Sequence, residues 1–154
     1  MTAVTLRPAT VADPAVRRLI EFHLRDMQGL SPAESVHALG AGALDVASVE
    51  LWGAWDVDAL AGVGALAALD AVRGELKSMR VADAYRGRGV GRLILCHLIE
   101  RARRLGMTSV WLETGSAQAF APARGLYLSE GFRFCAPFGD YSPDPHSVFL
   151  TRNI

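Results

Sequence analysis

A segment that reads as a strand, Glu75 to Val81, is followed by Arg86-Gly87-Arg88-Gly89-Val90-Gly91 and then by an amphipathic stretch that runs to Leu105. No other feature constrains the fold as much. Glycines let the main chain approach an anion closely, and the unpaired N–H groups of a helix start point at the same place. The helix dipole adds roughly 0.3 to 1 kcal/mol for an anion there, and Arg88 and Arg92 can bring charge from the side. The arrangement suits a diphosphate. Two familiar phosphate loops do not fit these letters. A nucleotide P-loop ends in Gly-Lys-Ser/Thr, whereas Gly91 is followed by Arg92 and Leu93. A dinucleotide fingerprint starting at Gly87 needs a third glycine where Arg92 stands.

The helix after this loop places Val90, Leu93, Ile94, Leu98, Ala102 and Leu105 on one face and stops at Gly106. Upstream, Val4 to Arg7 reads as a short strand closed by Pro8, and Asp13-Pro14 caps a helix reaching about Met27. Ser31-Pro32 predicts a second, shorter helix over Glu34 to Leu39. Val49 to Trp55 alternates as a strand, Asp56-Val57-Asp58 turns, and Leu60 to Leu69 resumes as an apolar run, which together predict a hairpin. The imperfect phase of Glu75 to Val81 allows a bulge. Downstream come a strand over Ser109 to Glu113, a short helix over Pro122 to Glu130 stopped by Gly131, a strand over Phe132 to Ala136, and a last strand over Ser147 to Thr151.

Residues 1–154, 51% of them hydrophobic, read as one domain with a core of its own. Lys plus Arg and Asp plus Glu balance at 16 each, so no positive field speaks for nucleic acid as a partner. No apolar run is long enough to span a bilayer. Cys96 and Cys135 lack metal-ligand spacing and, like His23, His37, His97 and His146, predict no metal site. They fit a reduced, cytoplasmic setting as buried or half-buried thiols. Neither has a recognisable base beside it, which argues against an acyl-cysteine route. Trp52 and Trp55 read as core residues in preference to lining an acceptor pocket.

Arg86, Gly89 and Gly91 fill the pattern Gln/Arg-x-x-Gly-x-Gly/Ala, and the stretch Met79 to Gly91 around them resembles the acetyl-CoA motif of the GNAT N-acetyltransferase superfamily. Leu112-Glu113 ending a strand, then Leu126-Tyr127-Leu128-Ser129-Glu130-Gly131-Phe132, resembles the family's second half. Gly74 to Arg80, Leu112 to Gly115 and Phe138 to Pro145 look like a group of small bacterial members. The resemblance implies an α/β (α+β) fold: a mixed, mostly antiparallel sheet of six to seven strands, splayed at its centre and flanked by about four helices. It implies acetyl-CoA as cosubstrate, an amine of a small molecule or peptide as acceptor, no metal, and a tendency to dimerise. The sequence departs from the family where the loop Thr114 to Ala121 is longer than usual, with Gln118 in place of a frequent asparagine.

Residue by residue, the resemblance implies that Arg86, Gly87, Arg88, Gly89, Val90, Gly91 and Arg92 hold the pyrophosphate. Gln118 stands near the coenzyme. Backbone groups of Met79 and Val81 pair with pantetheine, which lies between the splayed strands, and a free N–H near Met79 or Arg80 polarises the thioester carbonyl. Tyr127 sits where the family keeps its general acid. Glu113 and Glu75, at strand ends, are both placed to act as base, with Glu113 preferred. Arg80 could clamp an acceptor carboxylate, and Tyr141 belongs to the acceptor loop Phe138 to Pro145. A non-catalytic acyl-CoA sensor on the same fold and a protein lysine acetyltransferase are the alternatives.

Overall fold

A computed structural model describes residues 3–154. Seven strands form one sheet: β1 (Thr5–Pro8), β2 (Val49–Asp56), β3 (Ala59–Ala68), β4 (Arg73–Val81), β5 (Ser109–Gly115), β6 (Arg133–Cys135) and β7 (Ser147–Asn153). Their spatial order is β1-β2-β3-β4-β5-β7-β6, and every pairing is antiparallel except β4 with β5. Four helices flank it: α1 (Pro14–Leu30), α2 (Ala41–Leu44), α3 (Val90–Arg104) and α4 (Ala121–Ser129). The mixed, mostly antiparallel sheet expected above is what the chain forms. No helix among the described residues is long and apolar enough to cross a membrane.

Alternation along the strands produces two apolar layers. On one face Leu66, Leu76, Val110, Leu112 and Leu150 pack against Ile94, Leu95, Leu98 and Ile99 of α3. On the other, Leu51, Val63 and Ala65 meet Val16 and Ile20 of α1 and Leu44 of α2. Helix α1 starts where Asp13 Oδ1 accepts the N–H of Ala15, with Pro14 in its first turn, and runs past Met27 to Leu30. The buried stripe of α3 differs from the sequence reading. Leu95 and Ile99 are buried, whereas Leu93 and Leu105 lie outside, because the buried stripe is turned about the helix axis away from Leu93 and Leu105 falls at the C-cap, past the last helical turn.

The helix predicted over Glu34 to Leu39 does not form. Instead Ala33–Ser35 makes one 3-10 turn and Val36 is extended. A helix this short is marginal alone. Tertiary contacts pull it open: Ser35 Oγ donates to Asp144 Oδ2 at 2.6 Å, and His37 packs edge-on against Tyr141 at 4.9 Å. The segment thereby becomes one wall of a cleft.

Gly62 and Gly64 let α3 lie close to β3. A Cβ on Gly64 would fall 2.6 Å from Ile94 Cγ2. Ile94 itself is fully buried at this contact. Ile94→Ala is expected to destabilise the protein by about 2 to 5 kcal/mol. Urea unfolding would register this as a lower midpoint at unchanged m-value.

Candidate active site

Parallel pairing of β4 with β5 extends only from Arg73 to Glu75, opposite Ser109 to Trp111. Beyond it the strands part. A bulge in β4 accompanies the divergence: the β3 register passes from Val63↔Arg80 to Ala65↔Lys77, so Ser78 and Met79 together face Gly64. Ser78 sits at φ +54°, a left-handed value unusual for a residue with a side chain. The bulge allowed by the imperfect phase of the sequence is therefore present at Ser78. The opening forms a cleft of about 1260 Å³, walled by Met79, Arg80 and Val81 on one side and by Glu113, Thr114 and Tyr127 on the other. That exceeds the roughly 300 to 1,000 Å³ of an ordinary small-molecule pocket and gives room for a coenzyme.

At one end lies the glycine-rich loop. A 3-10 turn at Asp83–Tyr85 leads into it, and Gly87 and Gly89 adopt φ +75° and +79°, which only glycine enters freely. Gly89 caps α3 without any side-chain hydrogen bond, so the first N–H groups of the helix have no side-chain cap. Arg86, Gly87, Gly89, Val90, Gly91 and Arg92 line the cleft. Arg88 does not; its guanidinium lies over the Tyr85 ring at 5.3 Å. Arg92 is engaged by Glu130 and Ser129 of the α4 end, and Arg86 by Asp83. Gln118 occupies an exposed 3-10 turn outside the cleft lining, where Ala119 and Phe120 stand instead. Phe120, which the sequence reading missed, packs its ring on Gly115, too close for any side chain there. A glycine ending a strand five residues before an aromatic was the available signal.

At the other end six titratable groups meet: Tyr127, Glu113, Glu75, Tyr141, Lys77 and His37. Tyr127, on α4, is buried, and burial followed by the Glu113 charge pushes its phenol up to about 12. Glu113, near the end of β5, has no ion pair among the described residues. Burial holds its carboxyl above the usual glutamate value, and nearby Glu75 adds to the effect. Glu75 is placed differently. Its Oε2 accepts from Tyr141 Oη at 2.5 Å and from Lys77 Nζ at 3.1 Å, while Lys77 Nζ also donates to Tyr141 Oη at 2.9 Å. Burial and Glu75 raise the Tyr141 phenol far above its ordinary range. Thus Glu75 is locked in a closed ring and Glu113 is left without a fixed charge partner. Lys77 and His37 line this end too; the sequence marks His37 only as a histidine without metal-ligand spacing and gives neither residue a role in the cleft.

Arg80 also lines the cleft, with its Nη1 2.5 Å from Asp26 Oδ2 and its guanidinium over Phe22 at 4.9 Å. His23, one turn before Asp26 on α1, is lowered to about 4, first by burial and then by the Arg80 guanidinium, against the opposing pull of Asp26. Because the unfolded chain takes up a proton near 6.5 and the folded one only near 4, stability is present above pH 6.5 and is lost as pH falls through about 4. The linkage amounts to about 3 kcal/mol at most. In urea titrations between pH 7 and 4, His23→Gln is expected to lose part of this acid slope; equal slopes for both proteins would exclude His23 as its source.

Outside the cleft, Trp52 and Trp55 pack against the two cores as expected. Trp52 lies 4.2 Å from His97, whose imidazole is half-buried. Cys135 is half-buried, but Cys96 is exposed, a correction that follows from its position on the outer face of α3. Desolvation raises both thiols, so neither is activated.

Residues 16–132 match the acetyltransferase (GNAT) family. The chain is 47% identical over 136 residues to the uncharacterized N-acetyltransferase YsnE of Bacillus subtilis (strain 168), covering 88% of this chain and 90% of that one. It is 36% identical to the IAA acetyltransferase of Azospirillum brasilense over the full length of both. Its fold is shared with a GNAT family acetyltransferase of Elizabethkingia anophelis whose crystal structure has acetyl-CoA bound, at TM-score 0.71 and 20% identity with complete coverage of both chains. The parted β4 and β5, the uncapped helix start and these similarities converge: the chain belongs to the acetyltransferase (GNAT) family and is an acetyltransferase.

Proposed function

We propose that this protein transfers an acetyl group from acetyl-CoA to a primary amine of a small molecule or peptide by direct attack in a ternary complex. The observation that carries this reading is a carboxyl, Glu113, and a phenol, Tyr127, on the same wall of the cleft and close enough that the Glu113 charge raises the phenol, with an uncapped helix start at the cleft's far end. The coenzyme pyrophosphate would rest on the N–H groups of α3 beyond Gly89, with Arg86 and Arg92 beside it. Pantetheine would follow Met79 and Val81 along the gap. The thioester then lies near the Ser78 bulge, where a main-chain N–H released from the ladder polarises its carbonyl.

An amine of pKa ~10.4 is almost wholly ammonium at pH 7, and freeing it costs about 4.6 kcal/mol. Glu113, with no fixed cation on it, takes that proton as the nitrogen attacks. As the tetrahedral adduct collapses, Tyr127 donates to the departing sulfur. Arg80 and Tyr141 face the acceptor end, where Arg80 could receive an acceptor carboxylate beside its contact with Asp26. The test joins two measurements on the purified protein: calorimetry with coenzyme A, and thiol release from acetyl-CoA against a panel of primary amines. Binding with amine-dependent thiol release is expected. Binding without turnover across a broad panel would favour a non-catalytic coenzyme sensor, and no binding at all would remove the reading.

A further inference from the structure

Ser78 combines three features, of which the bulge described above accounts only for the first. Its backbone is left-handed at φ +54°, in the middle of a strand. Glycine would enter that conformation without strain, yet a serine stands there. Its Oγ is sealed from solvent and makes no hydrogen bond. An unpaired buried hydroxyl is itself unfavourable, so two penalties fall on one residue. The residue lines the cleft at the bulge, flanked by Lys77 on the Glu75 side and Met79 on the glycine-loop side. Strain and a missing partner at one point of a cleft indicate a group that finds its partner when the cleft is filled.

We infer that the Ser78 hydroxyl is a catalytic hydrogen-bond donor to the thioester carbonyl oxygen, acting as an oxyanion donor alongside the main-chain N–H of the bulge. The inference rests on the acetyl-transfer reading and deepens it. A serine hydroxyl passes between staggered χ1 rotamers without movement of the backbone, so a single step would carry it from its unpartnered position onto the thioester. No covalent bond to serine forms. The hydroxyl keeps its proton and contributes a dipole where negative charge grows on oxygen, and it returns to an unpartnered state after product leaves. A neighbouring orphan atom, Arg80 Nε, lies two residues on and belongs to a side chain already held by Asp26, so it does not offer the same freedom.

The experiment compares the wild-type chain with Ser78→Ala and Ser78→Gly, using an amine that the wild type acetylates. Loss of a single oxyanion donor is expected to lower kcat on the order of 10²-fold in both variants. KM for acetyl-CoA and the calorimetric affinity for coenzyme A should stay within about twofold, because the donor works in the transition state and not in ground-state binding. Ser78→Gly should at the same time raise the urea midpoint, since it relieves the left-handed strain. A slower but more stable enzyme is a result that a purely structural serine cannot produce. Wild-type kcat in both variants would overturn the inference and leave the hydroxyl to an ordered water. A fall in kcat matched by a fall in urea midpoint for Ser78→Gly would overturn it as well. Failure of the wild type to bind coenzyme A or acetylate any amine would instead defeat the acetyl-transfer reading itself.

Discussion

Tyr127→Phe is expected to lower kcat by about 10²- to 10⁴-fold while leaving the affinity for coenzyme A within about twofold. The phenol is buried, and its hydroxyl makes no hydrogen bond among the described residues, so phenylalanine fills the same space against Phe132. Folding should therefore be nearly unchanged. With the phenol at about 12 and a free thiol at ~8.5, complete proton transfer to the thiolate is uphill by about 5 kcal/mol. The proton must then move as the C–S bond breaks, or the phenol must serve by hydrogen bonding alone. Both routes need the hydroxyl. Steady-state kinetics with a good acceptor, paired with calorimetry, would decide the matter, and wild-type turnover in the variant would remove Tyr127 from the chemistry.

An equally large loss, again about 10²- to 10⁴-fold in kcat, is expected for Glu113→Gln, with a second signature in pH. Burial holds the Glu113 carboxyl above the usual glutamate value, so kcat/KM should fall on the acid side at a pH above that ordinary range as the base becomes protonated. Besides burial, the groups acting on it are Ser147 of β7, His37 of the segment after α1, and Lys77 and Glu75 of β4, while its own charge raises the phenols of Tyr127 and Tyr141. In the glutamine variant that acid limb should disappear together with most of the rate. Glu75→Gln offers the contrast: its carboxylate is tied to Lys77 and Tyr141, so its loss should loosen the loop that carries Tyr141 and lower stability while the acid limb persists. If the limb vanished with Glu75 and persisted without Glu113, the roles would be exchanged.

The end proposed for the coenzyme was legible because its physics is local. Glycines with positive φ, a helix start with no cap and arginines within one turn occupy consecutive positions, and the structure places all of that loop except Arg88 along the cleft. Tyr127, Glu113 and Glu75 line the same cleft, and the sequence prefers Glu113 without supplying the reason for the preference. What separates the two glutamates is Tyr141, which lies 66 residues from Glu75, and the Lys77 ammonium that joins them. The predicted helix over Glu34 to Leu39 failed for a similar reason: the partner that draws Ser35 out of it, Asp144, is 109 residues away. The sequence offers Arg80 as a clamp for a carboxylate, and the structure adds Asp26, 54 residues distant, as its fixed companion.

By itself the sequence determined the strand and helix periods, the phosphate-loop chemistry and the residue types available for acid–base work, since these depend on neighbours within a few positions. Only the tertiary structure decided where β4 and β5 part, that Ser78 is strained with an unsatisfied hydroxyl at that fork, and which carboxylate remains uncommitted. Those outcomes depend on pairings between strands and loops far apart in the chain, and on burial, which gives a proton affinity its value only after the surrounding side chains have closed around it.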